Sequence, residues 1–79
     1  MPQAKVIVFT QQDCPPCNWV KSYLTQRGVE FEERNIDSGM AVARELTHTY
    51  KSQSTPTVVI GDQVLIGYDP DRLSQLLEP

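Results

Sequence analysis

Apolar residues along the chain change their spacing several times, and each spacing predicts a different secondary-structure element. The early run KVIVF is continuously apolar and β-branched, which is typical of a strand buried on both faces. A stripe at helical spacing follows, consisting of Cys17, Val20 and Leu24, with Trp19 and Tyr23 beside it. Gly28 then predicts the left-handed residue that ends this helix.

The middle of the chain predicts a second strand and a second helix. The segment VEFEER places Val29 and Phe31 on one face and polar residues on the other, which indicates a strand with one exposed face. Asp37 or Ser38 can cap the helix that follows. The predicted inner face of that helix consists of Ala43, Leu46 and Tyr50.

The last third of the chain predicts a hairpin and a closing helix. The segments TVVI and QVLI are separated by a Gly-Asp pair, which is typical of two short strands joined by a tight turn. Asp69 suits the N-cap of a helix, and Pro70 suits its first position. The inner residues of this last helix are then Leu73, Leu76 and Leu77.

These elements follow one another in the order β-α-β-α-β-β-α. The first β-α-β unit predicts a right-handed parallel crossover, and the last two strands predict an antiparallel hairpin. We therefore expect an α/β fold with a four-stranded mixed sheet and three helices distributed over both faces. With 79 residues, the chain suffices for one domain over residues 1–79 and is too short for two.

Charge and hydropathy argue against a nucleic-acid-binding, membrane-bound or secreted protein. The net charge is −3, whereas nucleic-acid binders and proteins attached to anionic membranes present basic residues. No run approaches the roughly 18 apolar residues of a membrane span. The first ten residues hold too few apolar residues for a secretory core. We expect a cytoplasmic monomer that binds neither nucleic acid nor membrane.

The two cysteines carry the candidate chemistry. Cys14 falls between a predicted strand and a predicted helix, where free amides and the helix dipole favour a thiolate. Cys17 lies one turn later on the apolar stripe, and is therefore deeper. In a reducing compartment, this spacing is typical of catalysis or metal binding rather than of a structural crosslink. The arrangement fits an attacking thiol, Cys14, with a resolving partner, Cys17.

Three other interpretations of the cysteines remain open. A zinc site needs about four ligands, and apart from the pair the chain offers only His48 and carboxylates. We place His48 on the solvated side of the second helix and predict no metal bound by a single chain. The second interpretation is a metal ion or iron–sulfur cluster that bridges two chains through their thiols. It is also our alternative hypothesis for the function, a dimeric metal or cluster carrier. Two inert thiols are the third interpretation.

At this point the residues resemble a known family. FTQQDCPPC is similar to the strand and Cys-x-x-Cys motif of glutaredoxins, and STPTVVIGDQVLIGYD resembles their cis-proline loop, hairpin and glycine turn. The resemblance spans nearly the whole chain in the right order. It implies a thioredoxin-like fold, a redox-active Cys14–Cys17 disulfide without a bound cofactor, and protein disulfides as substrates. The small bacterial members include redoxins that supply electrons to ribonucleotide reductase.

The resemblance also implies substrate-binding residues. Pro56 matches the family's cis proline, and Thr55 before it would pair its backbone with a substrate as a short extra strand. Gly67 and Asp69 match the turn that holds one end of glutathione. Tyr68, between them, is a candidate contact for a partner protein.

Departures from the family pattern bear on the electron donor. Gln11 stands where glutaredoxins carry a lysine that meets a glutathione carboxylate, and the family's Gly-Gly-x-Asp-Asp turn is shortened. Val8 and Asp13 stand where thioredoxins carry a buried aspartate and a tryptophan. The departures disfavour specificity for glutathione, and family members of this kind are often reduced by thioredoxin reductase. The resemblance leaves both thioredoxin reductase and glutathione open as the electron donor.

The double proline between the cysteines predicts their redox character. Pro15 and Pro16 occupy the first helical turn and lack the N–H groups that could point at the Cys14 sulfur. The amide of Cys17 is then the nearest donor left, and Asp13 adds a negative charge nearby. Both effects disfavour a thiolate. We therefore predict an ordinary thiol acidity for Cys14 and a reducing potential of about −230 to −270 mV.

Overall fold

The computed structural model of the chain describes residues 5–77, and within them it contains four strands and three α-helices. The strands are β1 (Val6–Thr10), β2 (Glu32–Asn35), β3 (Thr57–Ile60) and β4 (Gln63–Ile66). The helices are α1 (Pro15–Gln26), α2 (Met40–Arg44) and α3 (Pro70–Leu77). A 3₁₀ turn, Ile36–Ser38, precedes α2, and a π-helical segment, Glu45–Thr49, continues it.

The strands form one mixed sheet in the order β2-β1-β3-β4. Strand β1 runs parallel to β2 and antiparallel to β3, and β3 is antiparallel to β4. Every residue of β1 and β3 is buried, because strands in the middle of a sheet covered on both faces have no solvated side. The predicted parallel pairing, hairpin and mixed sheet are confirmed.

Helices cover both faces of this sheet. On one face, α1 and α3 contribute Leu24 and Leu73 to a cluster built on Val8 and Val58. Fully burying a side chain of this size contributes about 1.5–3 kcal/mol to folding. The predicted inward positions of α3 are confirmed, since Leu73 is buried and Leu76 and Leu77 pack against the same cluster.

The opposite face is covered by the segment that follows α2. Leu46 is buried there against Phe9 and Val59. The ring of Tyr50 lies 5.5 Å from the ring of Phe9, centroid to centroid, in a tilted arrangement. Between residues 5 and 77, no helix is long and apolar enough to cross a membrane.

The predicted end of α1 and start of α3 are confirmed. Gly28 has a φ of 71°, in the left-handed region, and its amide bonds to the carbonyl of Thr25 at 3.0 Å. Glycine adopts this conformation without a Cβ clash. At α3, the Asp69 carboxylate accepts from the amide of Arg72 at 3.1 Å, as an N-cap does.

The second strand is shorter than the sequence predicted. We expected it to begin at Val29, but β2 begins at Glu32. Val29 and Phe31 still pack against the core from the loop before the strand. Both side chains point toward the core although their residues are not part of the strand. The hydrophobic pattern alone therefore predicted a strand that begins too early.

The predicted cap and inner face of the second helix also need correction. Neither Asp37 nor Ser38 caps α2; the side chain of Asn35 instead accepts from the Asp37 amide at 2.7 Å and caps the 3₁₀ turn. Gly39, in an extended conformation, then leads into α2. Val42 packs against the core where Ala43 was expected, together with Leu46 and Tyr50. Residues four apart lie on the same helical face, so Val42 shares a face with Leu46.

Candidate active site

The two cysteines lie at the N-terminus of α1. Cys14 is the N-cap residue, with extended backbone angles, and the prolines fill the first two helical positions. Cys14 is half-buried, whereas Cys17 is 1% exposed. The two sulfurs are joined in a disulfide. Of the pair, Cys14 is the sulfur that a second molecule can reach.

The Cys14 sulfur is a hydrogen-bond acceptor from the helix that it caps. The amide of Cys17 donates to Cys14 Sγ at 3.2 Å and also to the Cys14 carbonyl at 3.1 Å. Pro15 and Pro16 have no N–H to offer. The sulfur therefore receives one main-chain donor from the first turn, the one expected from the sequence.

The loop that leads into β3 meets this disulfide. The Thr55–Pro56 peptide is cis, as the resemblance implied, and Pro56 is buried. The Thr55 hydroxyl lies 3.0 Å from Gln11 Oε1 and 3.8 Å from Cys14 Sγ. The fold thus brings Thr55 to Gln11 and Cys14, which both lie on the loop between β1 and α1.

Buried hydroxyl groups support the cis-proline loop, and the sequence analysis missed them. The hydroxyls of Ser52 and Thr57 lie 2.8 Å apart, and that of Thr57 also donates to the Ser54 carbonyl at 2.6 Å. Both side chains are almost completely buried. The polar run SQSTPT directly before an apolar strand was the available signal, because hydroxyls next to a buried strand need partners.

The glycine turn joins the same loop. Gly67 has a φ of 89°, and its amide donates to the Pro56 carbonyl at 2.8 Å. Tyr68 is 37% exposed and meets the half-exposed ring of Trp19 edge to face, with centroids 5.7 Å apart. Asp69 caps α3 with one carboxylate oxygen. The turn therefore lies beside the cis proline, and the Tyr68 side chain is partly open to solvent.

The loop between β1 and Cys14 is held by Asp37, which the sequence analysis considered only as a helix cap. The amide of Gln12 donates to the Asp37 carboxylate at 2.8 Å. Asp13, which follows, is exposed and has a φ of 54°, in the left-handed region. Aspartate tolerates that region better than most residues. Asp13 and Asp37 thus bring two carboxylates to the loop that leads into Cys14.

A sequence model of the glutaredoxin family matches residues 6–65 of this chain. The chain belongs to the glutaredoxin family. The match includes both cysteines, the cis proline and the hairpin after it.

Individual relatives of this glutaredoxin-family chain agree with that assignment. It is 32% identical over 76 residues to the gene 56 protein of Mycobacterium phage L5, covering 95% of this chain and 74% of that one. It is 29% identical over 72 residues to the glutaredoxin-like protein NrdH of Escherichia coli K12, covering 91% and 88%.

Solved structures resemble this glutaredoxin-family chain closely. The thioredoxin-like protein BC3987 superposes with a TM-score of 0.89 at 44% identity, over 92% of this chain and 100% of that one. The Escherichia coli NrdH-redoxin, whose structure accounts for a thioredoxin-like activity profile, superposes with a TM-score of 0.83 at 29% identity, over 95% and 96%.

The family assignment establishes the class of chemistry. Glutaredoxin-like proteins of this kind are thiol–disulfide oxidoreductases that act through a redox-active cysteine pair. In this glutaredoxin-family protein the pair is Cys14 and Cys17, already joined as a disulfide. The protein is therefore an enzyme of thiol–disulfide exchange.

A polar network around the Glu33 carboxylate lies near the end of β1 in this glutaredoxin-family protein. Buried Thr10 donates its hydroxyl to the Glu33 carboxylate at 2.8 Å, and Lys21 on α1 pairs with the same oxygen at 3.0 Å. The Thr10 hydroxyl, followed by Lys21, lowers the pKa of Glu33 despite partial burial. The network fastens β1, α1 and β2 together just before the loop that carries Cys14.

Metal-ligating side chains do not form a cluster in the part of this glutaredoxin-family protein that the structure describes. Between residues 5 and 77, no three His, Cys, Asp or Glu side chains come close enough to hold a metal ion. His48 is exposed in the π-helical segment, in the solvated position that the sequence predicted.

Proposed function

We propose that this protein is an electron carrier that reduces protein disulfides through its CPPC dithiol. Cys14 is the nucleophile, and Cys17 resolves the mixed disulfide. The observation that carries this assignment is the difference in burial, since Cys14 is half-buried and Cys17 is 1% exposed. A substrate disulfide can reach the sulfur of Cys14. The buried sulfur of Cys17 then reacts with the mixed disulfide that Cys14 has formed.

The exchange proceeds in two balanced steps. The Cys14 thiolate attacks one sulfur of the target; the target S–S bond breaks, a mixed disulfide forms, and the released target sulfur takes a proton. The Cys17 thiolate then attacks Cys14 Sγ, which breaks the mixed disulfide and releases the second target thiol after protonation. The target gains two electrons and two protons, and the protein is left as the Cys14–Cys17 disulfide.

Thr55 and Pro56 dock the substrate chain in this proposal. Thr55 is half-exposed and its hydroxyl lies 3.8 Å from Cys14 Sγ. In this proposal an extended segment of the substrate pairs with the Thr55 backbone as an added strand. Gln11, Gly67, Tyr68 and Asp69 border the same opening. The partly exposed side chain of Tyr68 supplies apolar contact area for a protein partner.

The reductant that we propose is thioredoxin reductase rather than glutathione. Gln11 carries no charge to pair with a glutathione carboxylate, and one carboxylate oxygen of Asp69 is occupied by the α3 cap. Asp13 and Asp37 add negative charge near Cys14, which disfavours an anionic tripeptide. The thioredoxin-like activity profile of the related NrdH-redoxin supports the same choice.

Potential, location and oligomeric state complete the proposal. Pro15 and Pro16 withhold two main-chain donors from Cys14, and Asp13 adds a negative charge, which supports a reducing potential of about −230 to −270 mV. A dithiol of this kind works in a reducing compartment, so we place the protein in the cytoplasm. We propose that it acts as a monomer without a bound cofactor.

The decisive experiment follows NADPH consumption by the purified protein with a disulfide substrate. One reaction contains thioredoxin reductase, and the other contains glutathione and glutathione reductase. We expect turnover with thioredoxin reductase. Turnover with glutathione alone would contradict the proposed donor. Turnover in neither, together with bound iron or zinc in a dimer, would favour the bridging metal carrier over the electron carrier.

A further inference from the structure

The Thr55 hydroxyl has one proton and two acceptors within reach. Gln11 Oε1 lies 3.0 Å away, at ordinary hydrogen-bond distance, and Cys14 Sγ lies 3.8 Å away, at the long limit for sulfur. One hydroxyl proton cannot serve both acceptors fully. The shorter contact holds the proton on the side of Gln11.

This competition gains importance when the disulfide is reduced. A disulfide sulfur accepts hydrogen bonds weakly, whereas a thiolate is charged and accepts them strongly. Thr55 is the side-chain donor that the structure places on Cys14 Sγ, and the Cys17 amide is the main-chain donor. With Pro15 and Pro16 contributing no N–H, each remaining donor has a large share in the stability of the thiolate.

We propose that Gln11 is a positioning residue that keeps Cys14 weakly acidic by holding the Thr55 hydroxyl away from the Cys14 sulfur. This role goes beyond substrate docking, and it rests on the proposed function, in which Cys14 is the attacking thiol. Gln11 acts through Thr55 and does not itself touch the reacting sulfur. Its amide oxygen makes the reduced dithiol a better electron donor, because a less stabilised thiolate leaves the disulfide form more favoured.

Other charged groups also lie around Cys14, but they do not depend on the contact between Gln11 and Thr55. Asp13 precedes Cys14, and Asp37 accepts from the Gln12 amide at 2.8 Å. Lys21 and Glu33 pair with each other at 3.0 Å next to the end of β1. None of these groups contacts Gln11 or Thr55 through a hydrogen bond that the structure shows for residues 5–77. Substitutions at Gln11 therefore leave them in place.

The test compares Gln11→Leu with Gln12→Leu. Both glutamines are exposed neighbours, and Gln12 is held through its backbone amide, so its variant makes the same chemical change without breaking the contact to Thr55. The acidity of Cys14 is measured by titrating thiolate absorbance in a Cys17→Ser background, which leaves one thiol. We expect Gln11→Leu to increase the acidity constant of Cys14 about three- to tenfold. Gln12→Leu should leave it unchanged.

A double-mutant cycle identifies Thr55 as the intermediary. In a Thr55→Val background the hydroxyl is gone, so Gln11→Leu should no longer change the acidity of Cys14. In a Thr55→Ser background the hydroxyl is restored, and the increase should return. The thiol–disulfide equilibrium of the Cys17-containing protein with a reference dithiol should shift by a similar factor toward the reduced form.

Two results would overturn the proposal. One is equal acidity in the Gln11→Leu and Gln12→Leu variants; the other is an effect of Gln11→Leu that persists without the Thr55 hydroxyl. Neither result depends on which reductase serves the protein. A failure of the proposed function would instead appear as absent turnover of the wild-type protein with both electron donors.

Discussion

The backbone amide of Cys17 lies 3.2 Å from the Cys14 sulfur and donates a hydrogen bond to it. An N-cap side chain normally accepts from the amides at the second or third helical position. In α1 the third position is Cys17 and the second is Pro16, which has no N–H. The N-terminus of α1 therefore offers a Cys14 thiolate an amide donor from the third helical position and none from the second.

Restoring the missing donor should make Cys14 more acidic. In Pro16→Ala the second helical position regains an amide directed at the Cys14 sulfur, so we expect the acidity constant of Cys14 to increase about tenfold. The disulfide form should become more oxidising in parallel. The measurement is a thiolate titration in the Cys17→Ser background, followed by equilibration of the dithiol protein with a reference couple.

Pro15→Ala is the matched control for this prediction. It also replaces a proline in the first turn, but it restores an amide at the first helical position, which is aimed less directly at the cap side chain. Its effect on the acidity of Cys14 should be clearly smaller. Equal effects of the two substitutions would mean that backbone flexibility, rather than the amide at the second position, controls the thiol.

Removing the inner sulfur should stop the reaction half-way. Cys17→Ser retains the attacking thiol but cannot release the captured target, so mixed disulfides should accumulate and catalytic turnover should fall to background. Mass spectrometry under non-reducing conditions detects the adduct. Cys14→Ser should form almost none, because Cys17 is 1% exposed. Adduct formation by Cys14→Ser at the same rate would reverse the two roles.

The sequence was sufficient to predict the sheet and the cysteine pair for identifiable reasons. The continuous apolar runs in β1 and β3 correspond to strands that are buried on both faces, and Gly28 and Asp69 end and begin helices through local geometry. Cys14 and Cys17 are close in sequence, so their arrangement depends on one helical turn. Local rules suffice where the partners are local.

The long-range contacts of the site were not predictable in the same way. Gln12 and Asp37 are 25 residues apart, and Gln11 and Thr55 are 44 apart. The spacing of apolar residues does not indicate which distant polar side chain will form a hydrogen bond with a loop residue. The start of the second helix was misjudged for a related reason, since Asn35 competes for the capping role through a 3₁₀ turn.

The hydroxyl pair beneath the cis-proline loop should contribute to stability. Thr57 is 0% exposed, and replacing it with valine removes the hydroxyl that bonds Ser52 and the Ser54 carbonyl. Leaving these buried groups with fewer partners should cost about 1–3 kcal/mol of unfolding free energy. Urea denaturation measures this loss as a lower midpoint at an unchanged slope.

Thr47→Val provides the comparison for this substitution. Thr47 is exposed, and its hydroxyl bonds the Ala43 carbonyl at 3.1 Å, so water replaces the lost partner. We expect a change within about 0.5 kcal/mol. If Thr57→Val were as mild as Thr47→Val, the buried hydroxyl network would not be what holds the cis-proline loop in place.

The Glu33 carboxylate should make stability fall in acid. Hydrogen bonds from Thr10 and Lys21 lower its pKa below the ordinary value of 4.5 in the folded protein. Because this pKa is lower in the folded protein than in the unfolded chain, the ionised carboxylate stabilises the fold at a pH above the pKa of the unfolded chain. That contribution is lost as the pH falls through the pKa of the folded protein. The Glu33 side chain is 39% exposed, so solvent screening limits the contribution to at most about 1 kcal/mol.

The measurement compares urea midpoints at about pH 7 and about pH 3. In Glu33→Gln the charge is absent at both pH values, so stability at neutral pH should decrease and the difference between the two conditions should shrink. Glu30→Gln, at an exposed position before β2, should keep the wild-type difference. If Glu33→Gln retained the full acid-dependent loss, the Thr10–Glu33–Lys21 network would not couple folding to pH, and the loss would have to arise from other carboxylates.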